Sequence, residues 1–403
     1  MAVNDAKPQG LVEHLPCVSS NGPVSFSDIV DPSEVATAMI LAESSSQLFH
    51  EAGVWIPLTQ EWVVSSNRLS TSKTGDITKE PLKQRAIMSA IGVNGGSRSL
   101  DTLEEQGLIM GNGGTSDGKG GAYICSQGLG TQGGSIWRIH GTPTLQTSEL
   151  VVKSAPFKYL TKDPIGVVKP DMGLDFNSPN DVVLYKKKWL LFTDPTYGYE
   201  QSFRTTRQLD GIIWYASVAS SSRRSYPVPF CCCLKSKQQQ KRTQIVGALI
   251  VDGVVKPNGI CLSPDDTTLY VTDTGYVMGN GAVDEMRPRH VLAYDIHLGC
   301  SKEAGDKEIV PIVSNPRVII EFKEEAKGIV PDGIKLDADG NIYIGAGDGV
   351  RVYTPDGTFL GTLGVEGGAA NICFGGKDLK ELVILNETRA IKVQMKKSGV
   401  KLT

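Results

Sequence analysis

Residues 176–198, FNSPNDVVLYKKKWLLFTDPTYG, contain a polar turn, an apolar run, a lysine-rich turn and a second apolar run. Alternating β-branched and aromatic residues between turn-forming residues are typical of antiparallel strands. The same order recurs in KPNGICLSPDDTTLYVTD (256–273) and VPDGIKLDADGNIYIGAG (330–347). In each stretch a proline and then Asn or Asp precede the strand, so we interpret the three as copies of one repeated structural unit.

Strand-like stretches of this kind recur along most of the chain. The 45 glycines and 21 prolines separate short segments rich in Val, Ile, Tyr and Trp. The segments are EWVVSSNRL, GAYICSQG with SIWRIH, KWLLFTDPTYG with GIIWYAS, TLYVTDTG with HVLAYDI, NIYIGAGDG with VRVYTPDG, and ELVILNET with AIKVQM. We interpret the first member of each pair as an inner strand and the second as a returning strand. Six such units predict an all-β fold, a single six-bladed β-propeller, with a β-sandwich as the alternative.

Four segments are interpreted differently from the strand pattern. Residues 1–40 are predicted to be an N-terminal extension that closes the last blade, and residues 41–403 the propeller. ASSSRRSYPVPFCCCLKSKQQQKR (219–242) predicts a disordered insertion between blade strands or a translated intron. SEVATAMILAESSSQLF (33–49) is the best helix candidate, and DTLEEQGLI (101–109) is a weaker one.

Composition favours a small-molecule partner. The formal charge of -3 comes from 41 Lys+Arg and 44 Asp+Glu, which argues against nucleic acid and anionic membranes as partners. No apolar run is long enough to span a bilayer, and the first residues lack the apolar core of a secretory signal. Eight cysteines without a C-x-x-C pair indicate reduced thiols. We therefore expect a soluble, cytoplasmic monomer.

The repeated unit also predicts a binding site. The segment before the innermost strand of each propeller blade borders the central channel, so Asn180, Asn258 and Asp332 should point at one axis from different blades. Carboxylate and amide oxygens from several blades suit a hard cation, because Ca²⁺ accepts six to eight oxygen ligands. Glu51, at the start of a blade 1 strand in HEAGVW, is the candidate for a fourth donor.

Several of these stretches resemble one known family. HEAGVW, SPND, FTDPTYG, KPNGICLSPD, PDGIKLDADGNIY and NICFGG are similar to the senescence marker protein/gluconolactonase/luciferin-regenerating-enzyme-like family, in particular its fungal lactonohydrolase-like members. The resemblance implies a six-bladed propeller with one divalent cation on the channel axis. By this resemblance the cation would be held by Glu51, Asn180, Asn258 and Asp332. Two departures are HEAG in place of the family's HEGP and the insertion at 219–242.

The resemblance further implies a function. Asn112, in MGNGGT, and Tyr197, in the turn after FTDP, are candidate substrate-binding residues. The predicted reaction is the opening of a lactone by metal-activated water, with Asp332 as ligand and general base. Ca²⁺ is the expected cation, with Zn²⁺, Mn²⁺ and Mg²⁺ as alternatives. Phosphotriester hydrolysis and non-catalytic metal or small-molecule binding are the alternative functions.

One motif is rejected. GTSDG (114–118) satisfies G-x-S-x-G, but a nucleophile elbow needs a helix after the serine, and the strand-like KGGAYICSQ follows instead. Ser116 is therefore not expected to be a nucleophile.

Overall fold

The computed structural model describes residues 12–13, 17–19, 25–31, 38–155, 174–207, 211–218, 245–250, 252–300, 309–322 and 328–401. The insertion predicted at 219–242, with its three consecutive cysteines, lies outside these residues. Among them, no helix has the length and apolar composition needed to cross a membrane.

Six antiparallel sheets form the blades, numbered here in chain order with their strands given from the channel outward. Blade 1 consists of Glu51–Ile56, Glu61–Ser65, Met88–Gly92 and Ser97–Ser99, and blade 2 of Gly111–Ser116, Ala122–Ser126, Ser135–Ile139 and Ser148–Val152. Blade 3 consists of Val182–Tyr185, Trp189–Asp194, Ile212–Ser217 and Val246–Ile250, and blade 4 of Pro257–Leu262, Thr268–Asp273, His290–Cys300 and Ile309–Glu321. Blade 5 consists of Ile334–Leu336, Ile342–Ala346, Gly349–Tyr353, Phe359–Gly364 and Cys17–Ser19, and blade 6 of Asn371–Gly375, Glu381–Asn386, Arg389–Gln394, Ala38–Glu43 and Val12–Glu13.

The remaining elements are short. Two-stranded sheets pair Leu69–Ser70 with Gln84–Arg85 and Ser154–Ala155 with Leu174–Asp175. A 3-10 helix covers Phe26–Asp28, and α-helical turns cover Thr102–Glu105 and Tyr197–Glu200. The helix predicted within DTLEEQGLI is therefore confirmed.

The blades form a closed ring, because each innermost strand contacts that of the next blade and Asn371–Gly375 of blade 6 contacts Glu51–Ile56 of blade 1. The prediction of an all-β, six-bladed propeller is confirmed. The strand pairs recognised in the sequence are, however, mostly the second and third strands of their blades, not the innermost.

The helix predicted over 33–49 is wrong, because Ala38–Glu43 is a strand paired with Arg389–Gln394. This strand is buried at four of its six positions and carries a register shift between Ile40 and Ala42. Burial on both faces and an irregular register remove the alternation that marks a half-exposed strand, which explains the error. The strand attaches a segment from before blade 1 to the last blade, although the domain boundary at residue 40 stays a prediction.

Hydrophobic side chains fill the spaces between adjacent blades. Within the described residues, six clusters of buried side chains lie one at each junction between neighbouring blades. Trp62, Trp189 and Trp214 are among the largest fully buried side chains. Burial of large aromatic groups contributes several kcal/mol each, at about 25 cal/mol per Å². The packed junctions fix the innermost strands relative to one another.

Candidate metal centre

A polar residue lies within two positions of the start of every innermost strand, one from each blade. From blade 1 to blade 6 these residues, called the channel ring below, are Glu51, Asn112, Asn180, Asn258, Asp332 and Asn371. All except Asp332 are almost fully buried, and Asp332 is partly exposed.

Hydrogen bonds between neighbouring blades hold the channel ring together. The backbone carbonyl of each of four ring residues accepts a hydrogen bond from an adjacent blade. The donors are Ser65 Oγ to Asn112 (3.3 Å), Gly113 N to Asn180 (2.8 Å), Thr193 Oγ1 to Asn258 (2.7 Å) and Thr272 Oγ1 to Asp332 (2.7 Å). Glycine is needed in this arrangement, since a Cβ on Gly113 would collide with the Asn180 carbonyl and one on Gly259 with that of Asp332. The structure therefore brings Glu51, Asn180, Asn258 and Asp332 to one end of the channel.

Three amide oxygens of the channel ring have no hydrogen-bond donor. The Oδ1 atoms of Asn112, Asn180 and Asn258 are buried and without a partner among the described residues. Such an acceptor costs about 1–3 kcal/mol when it stays unsatisfied, so three at adjacent positions call for an explanation. A cation would supply the missing partner.

The donor chemistry also fits a hard cation. The channel ring offers carboxylate and amide oxygens, the ligands that Ca²⁺ prefers. Within the described part of the chain, no group of three or more His, Cys, Asp or Glu side chains could hold a metal ion. A metal site among these residues would therefore need further oxygen donors beside its carboxylates, and the amides of the predicted set are of that kind.

The two carboxylates of the channel ring affect each other electrostatically. Burial, followed by the negative charge of Asp332, raises the pKa of Glu51 to about 8. Burial also raises the pKa of Asp332 to about 6, although the neighbouring His50 acts in the opposite direction. Both shifts reflect negative charge held away from water, which a divalent cation would offset.

Two features position Glu51, and one of them is the HEAG sequence that departs from the family's HEGP. Ala52 and Gly53 have φ angles of 68° and 70°, and the strand register shifts between Ala52 and Val54. The substitution of HEAG for HEGP thus places an alanine in the left-handed region, at a cost of about 1–2 kcal/mol. In addition, Asn371 Nδ2 donates to Glu51 Oε2 at 2.5 Å, which fixes the carboxylate.

Asn371 is the ring residue that the sequence prediction missed. It opens the NICFGG stretch, but Gly-Gly-Ala-Ala precedes it instead of the proline that marks Asn180, Asn258 and Asp332. Its position at the start of an innermost strand was the available signal.

A second group of polar residues borders the channel ring between blades 1 and 6. His50 Nδ1 lies 2.8 Å from Glu387 Oε1, and Asn67 Nδ2 donates to Glu387 Oε2 at 3.1 Å. Burial alone would lower the pKa of His50, but the Glu387 carboxylate raises it to about 9. Glu387 has a φ of 56°, an unusual conformation for this residue type. The sequence prediction did not find this group, because its members are distant in the chain.

Tyr197 lies beside the channel ring at the start of the helical turn Tyr197–Glu200. Asn258 Nδ2 donates to its hydroxyl at 3.3 Å, and burial raises the pKa of Tyr197. Lys256 is 1% exposed, contacts both carboxylate oxygens of Glu200, and lies 5.3 Å from the Tyr197 ring centroid. The substrate-binding roles of Tyr197 and Asn112 stay predictions, although both residues lie at the channel ring.

Asp194, in the FTDP turn, has a structural role. Its carboxylate accepts hydrogen bonds from the backbone of Asn177 (3.0 Å) and Ser178 (2.8 Å) and from Trp214 Nε1 (3.1 Å). Burial raises the pKa of Asp194 to about 7. These bonds fix the segment that leads to Asn180.

Comparison with known proteins agrees with the resemblance predicted from the motifs. Residues 307–388 match the family described as SMP-30/Gluconolactonase/LRE-like region. This part of the chain is thus similar to the SMP-30/gluconolactonase/LRE-like family. A gluconolactonase of Zymomonas mobilis is 26% identical over 245 residues, which are 60% of this chain and 56% of that protein. Lactonohydrolase oryH of Aspergillus oryzae is 33% identical over 165 residues, which are 37% of this chain and 32% of the relative. The matches thus span about half, or less, of the length of these relatives.

Solved structures show the same fold. A gluconolactonase from Xanthomonas campestris is 18% identical, with a TM-score of 0.61 over 97% of this chain and 99% of that one. Regucalcin from Agrobacterium tumefaciens, a calcium-binding protein, is 17% identical, with a TM-score of 0.50 over 90% of this chain and 97% of that one. At these identities the likeness concerns the fold alone.

Proposed function

We propose that this protein hydrolyses a lactone with the help of one divalent cation, most simply Ca²⁺, bound at the channel ring. The observation that carries the proposal is the set of three buried amide oxygens without donors beside two carboxylates. The gluconolactonase and lactonohydrolases to which parts of the chain are similar support the choice of a lactone as substrate. The calcium-binding protein with the same fold supports the choice of cation.

The two carboxylates would have different tasks. Glu51 is 2% exposed and held by Asn371, whereas Asp332 is partly exposed. In the proposed site Glu51, Asn180 and Asn258 hold the cation. Asp332 touches it but can also reach water, so it accepts a proton from the attacking water molecule and returns it to the alkoxide oxygen that leaves the opened ring.

The cation, when bound, would polarise the ester carbonyl and stabilise negative charge on its oxygen. The neighbouring residues orient the substrate. Asn112 belongs to the channel ring, and the hydroxyl of Tyr197 accepts a hydrogen bond from the ring residue Asn258, so in our proposal both contact the lactone ring.

The test is whether purified protein hydrolyses a panel of γ- and δ-lactones. The acid released by hydrolysis is measured with added Ca²⁺ and with a chelator. Turnover should require the cation. Asp332→Asn keeps an oxygen ligand but removes the base, so kcat should fall by about 10²–10⁴-fold while cation binding persists. Asp265→Asn, in an exposed turn of blade 4, is the matched control and should keep full turnover.

Cation ligands should behave differently from the base. Asn258→Ala should raise the cation concentration needed for activity, and excess cation should restore part of the turnover. If the protein opens no lactone with Ca²⁺, Mn²⁺, Zn²⁺ or Mg²⁺, the proposal is wrong.

A further inference from the structure

Arg68 carries a positive charge that no carboxylate of the described residues pairs with. Within the described residues, its hydrogen-bond partner is Gln84 Oε1, at 3.5 Å from Nη1, and its guanidinium carbon lies 6.0 Å from the Phe203 ring centroid. The side chain is partly buried, and this burial lowers the pKa of Arg68. A guanidinium that has lost part of its hydration without gaining an anion is unfavourable, and a bound anion would offset that cost.

Arg68 lies in the blade 1 loop that begins beside the channel ring, where Ser65 pairs with Glu51. It follows Ser65, whose hydroxyl donates to the Asn112 carbonyl at 3.3 Å, and Asn67, whose amide contacts Glu387. Phe203 belongs to the segment after the helical turn that begins at Tyr197. The Arg68 side chain therefore extends from a blade 1 loop to a blade 3 loop, and blade 2 with Asn112 lies between these two blades.

A second guanidinium lies on the same side of the propeller. Arg204, adjacent to Phe203, is 2% exposed, and its Nη2 has no hydrogen-bond partner among the described residues. Its Nε and Nη1 donate to the backbone carbonyls of Asn177 and Gly130, each at 3.1 Å. Asp175 and Asp194 act on Arg204 only through their charge. Counting only the described residues, the two guanidinium groups near Phe203 thus have no hydrogen bond to a carboxylate.

We propose that Arg68 binds a carboxylate carried by the substrate, so that the lactone opened at the channel ring is an acidic one. This inference rests on the proposed function. The planar guanidinium can donate two parallel hydrogen bonds to a carboxylate, an arrangement that a partly buried site strengthens. The contact with Gln84 is long, at 3.5 Å, and involves only Nη1, so it does not use the donor capacity of the guanidinium.

The test compares γ-butyrolactone with its γ-carboxylate derivative, which share one ring and differ in the charged group. We expect wild-type protein to have a higher kcat/KM for the carboxylate, mainly through KM. Arg68→Gln should lower the ratio of the two kcat/KM values by about 10–100-fold, the range for a lost charged hydrogen-bond pair. Arg68→Lys keeps the charge without the planar fork, so its ratio should be intermediate.

Arg317→Gln is the matched control, because Arg317 pairs with Asp295 at 2.7 Å on the outer strands of blade 4. Its ratio should equal that of wild type. Circular dichroism establishes that all variants are folded. An unchanged ratio in Arg68→Gln would overturn the inference.

A binding measurement separates this inference from the proposed function. Tetrahydrofuroic acid has the ring and the carboxylate but no ester bond, so its binding can be followed by calorimetry without turnover. Binding to wild type that weakens at least tenfold in Arg68→Gln supports the carboxylate site even if no lactone is opened. Equal binding by both proteins, or no binding to wild type, overturns it.

Discussion

Replacing Asn180 by alanine should have different effects on the stability of the protein with and without calcium. Asn180 is 4% exposed, and its Oδ1 has no donor within the described residues. Without a cation, the substitution removes an unsatisfied buried acceptor, which relieves about 1–3 kcal/mol, and loses packing of similar size. The free energy of unfolding should therefore change by less than about 1 kcal/mol.

Asn386 provides the matched control, since it is also 4% exposed but fully bonded. Its Nδ2 donates to the carbonyls of Glu366 (3.1 Å) and Gly368 (2.6 Å), and its Oδ1 accepts from Arg389 Nε at 2.9 Å. Asn386→Ala leaves these groups without their partner and should cost about 1–3 kcal/mol, whether or not calcium is present.

Calcium should separate the two variants further. At a concentration 100 times the dissociation constant, a ligand that binds only the folded state stabilises it by about 2.7 kcal/mol. If Asn180→Ala weakens binding tenfold, the same calcium concentration stabilises that variant by only about 1.4 kcal/mol. Asn386→Ala should gain as much from calcium as wild type.

The assay is urea denaturation of wild type and both variants, monitored by tryptophan fluorescence. Each protein is measured once with chelator and once with calcium. Two results would refute the reasoning. A loss of several kcal/mol in Asn180→Ala without calcium would mean that its amide is bonded in the folded protein. An equal calcium effect on Asn180→Ala and wild type would mean that Asn180 is not a ligand.

Three further predictions use the same purified protein. Lys256→Met should lower the free energy of unfolding by about 3–5 kcal/mol, because it removes the ammonium group that pairs with the Glu200 carboxylate. Adding Glu200→Leu should recover part of this loss, and the absence of recovery would show that the ion pair is not its cause. Burial raises the pKa of Asp194 to about 7 in the folded protein, whereas it is about 4 in the unfolded chain. Between these pH values the folded state keeps a proton that the unfolded state has lost, so the free energy of unfolding of wild type should fall relative to that of Asp194→Asn as pH rises. Equal pH dependence of the two proteins in denaturation experiments would contradict this. Ser116→Ala should leave lactone turnover unchanged, since within the described part of the chain its hydroxyl accepts only a turn hydrogen bond, from Gly118 N at 3.2 Å. A large loss of turnover would make Ser116 a candidate nucleophile again.

The number of blades could be predicted from the sequence because each blade is built from strands that are close together in the chain. The second and third strands, such as Trp189–Asp194 and Ile212–Ser217, have enough β-branched and aromatic residues to be recognised alone. The innermost strands are harder to recognise, since close packing around the channel requires glycine, as in Gly111–Ser116. Ala38–Glu43 was misassigned because burial on both faces removes its alternation, and its partner strand, Arg389–Gln394, is too distant in the sequence to reveal the pairing.

The candidate site could be predicted where a local signal accompanied the position in the fold. Asn180, Asn258 and Asp332 follow a proline directly before a strand, and this spacing was visible in the sequence. Asn371 and Arg68 have no such signal. Their importance arises from contacts with residues that are distant in the sequence, namely Glu51 and Phe203, and only the closed ring of blades brings these together.

The proportion of amides to carboxylates in the channel ring follows from electrostatics. Glu51 and Asp332 already disfavour each other's ionisation. Asp181, which directly follows Asn180, is a third buried carboxylate, and its charge is offset by Lys335, whose Nζ lies 3.3 Å from Asp181 Oδ2. A further carboxylate in place of Asn180 or Asn258 would increase this repulsion in the cation-free protein, whereas an amide supplies an oxygen ligand without charge. With two carboxylates, a bound divalent cation would leave the ring close to neutral. The charge of Arg68 would then remain available to attract an acidic substrate.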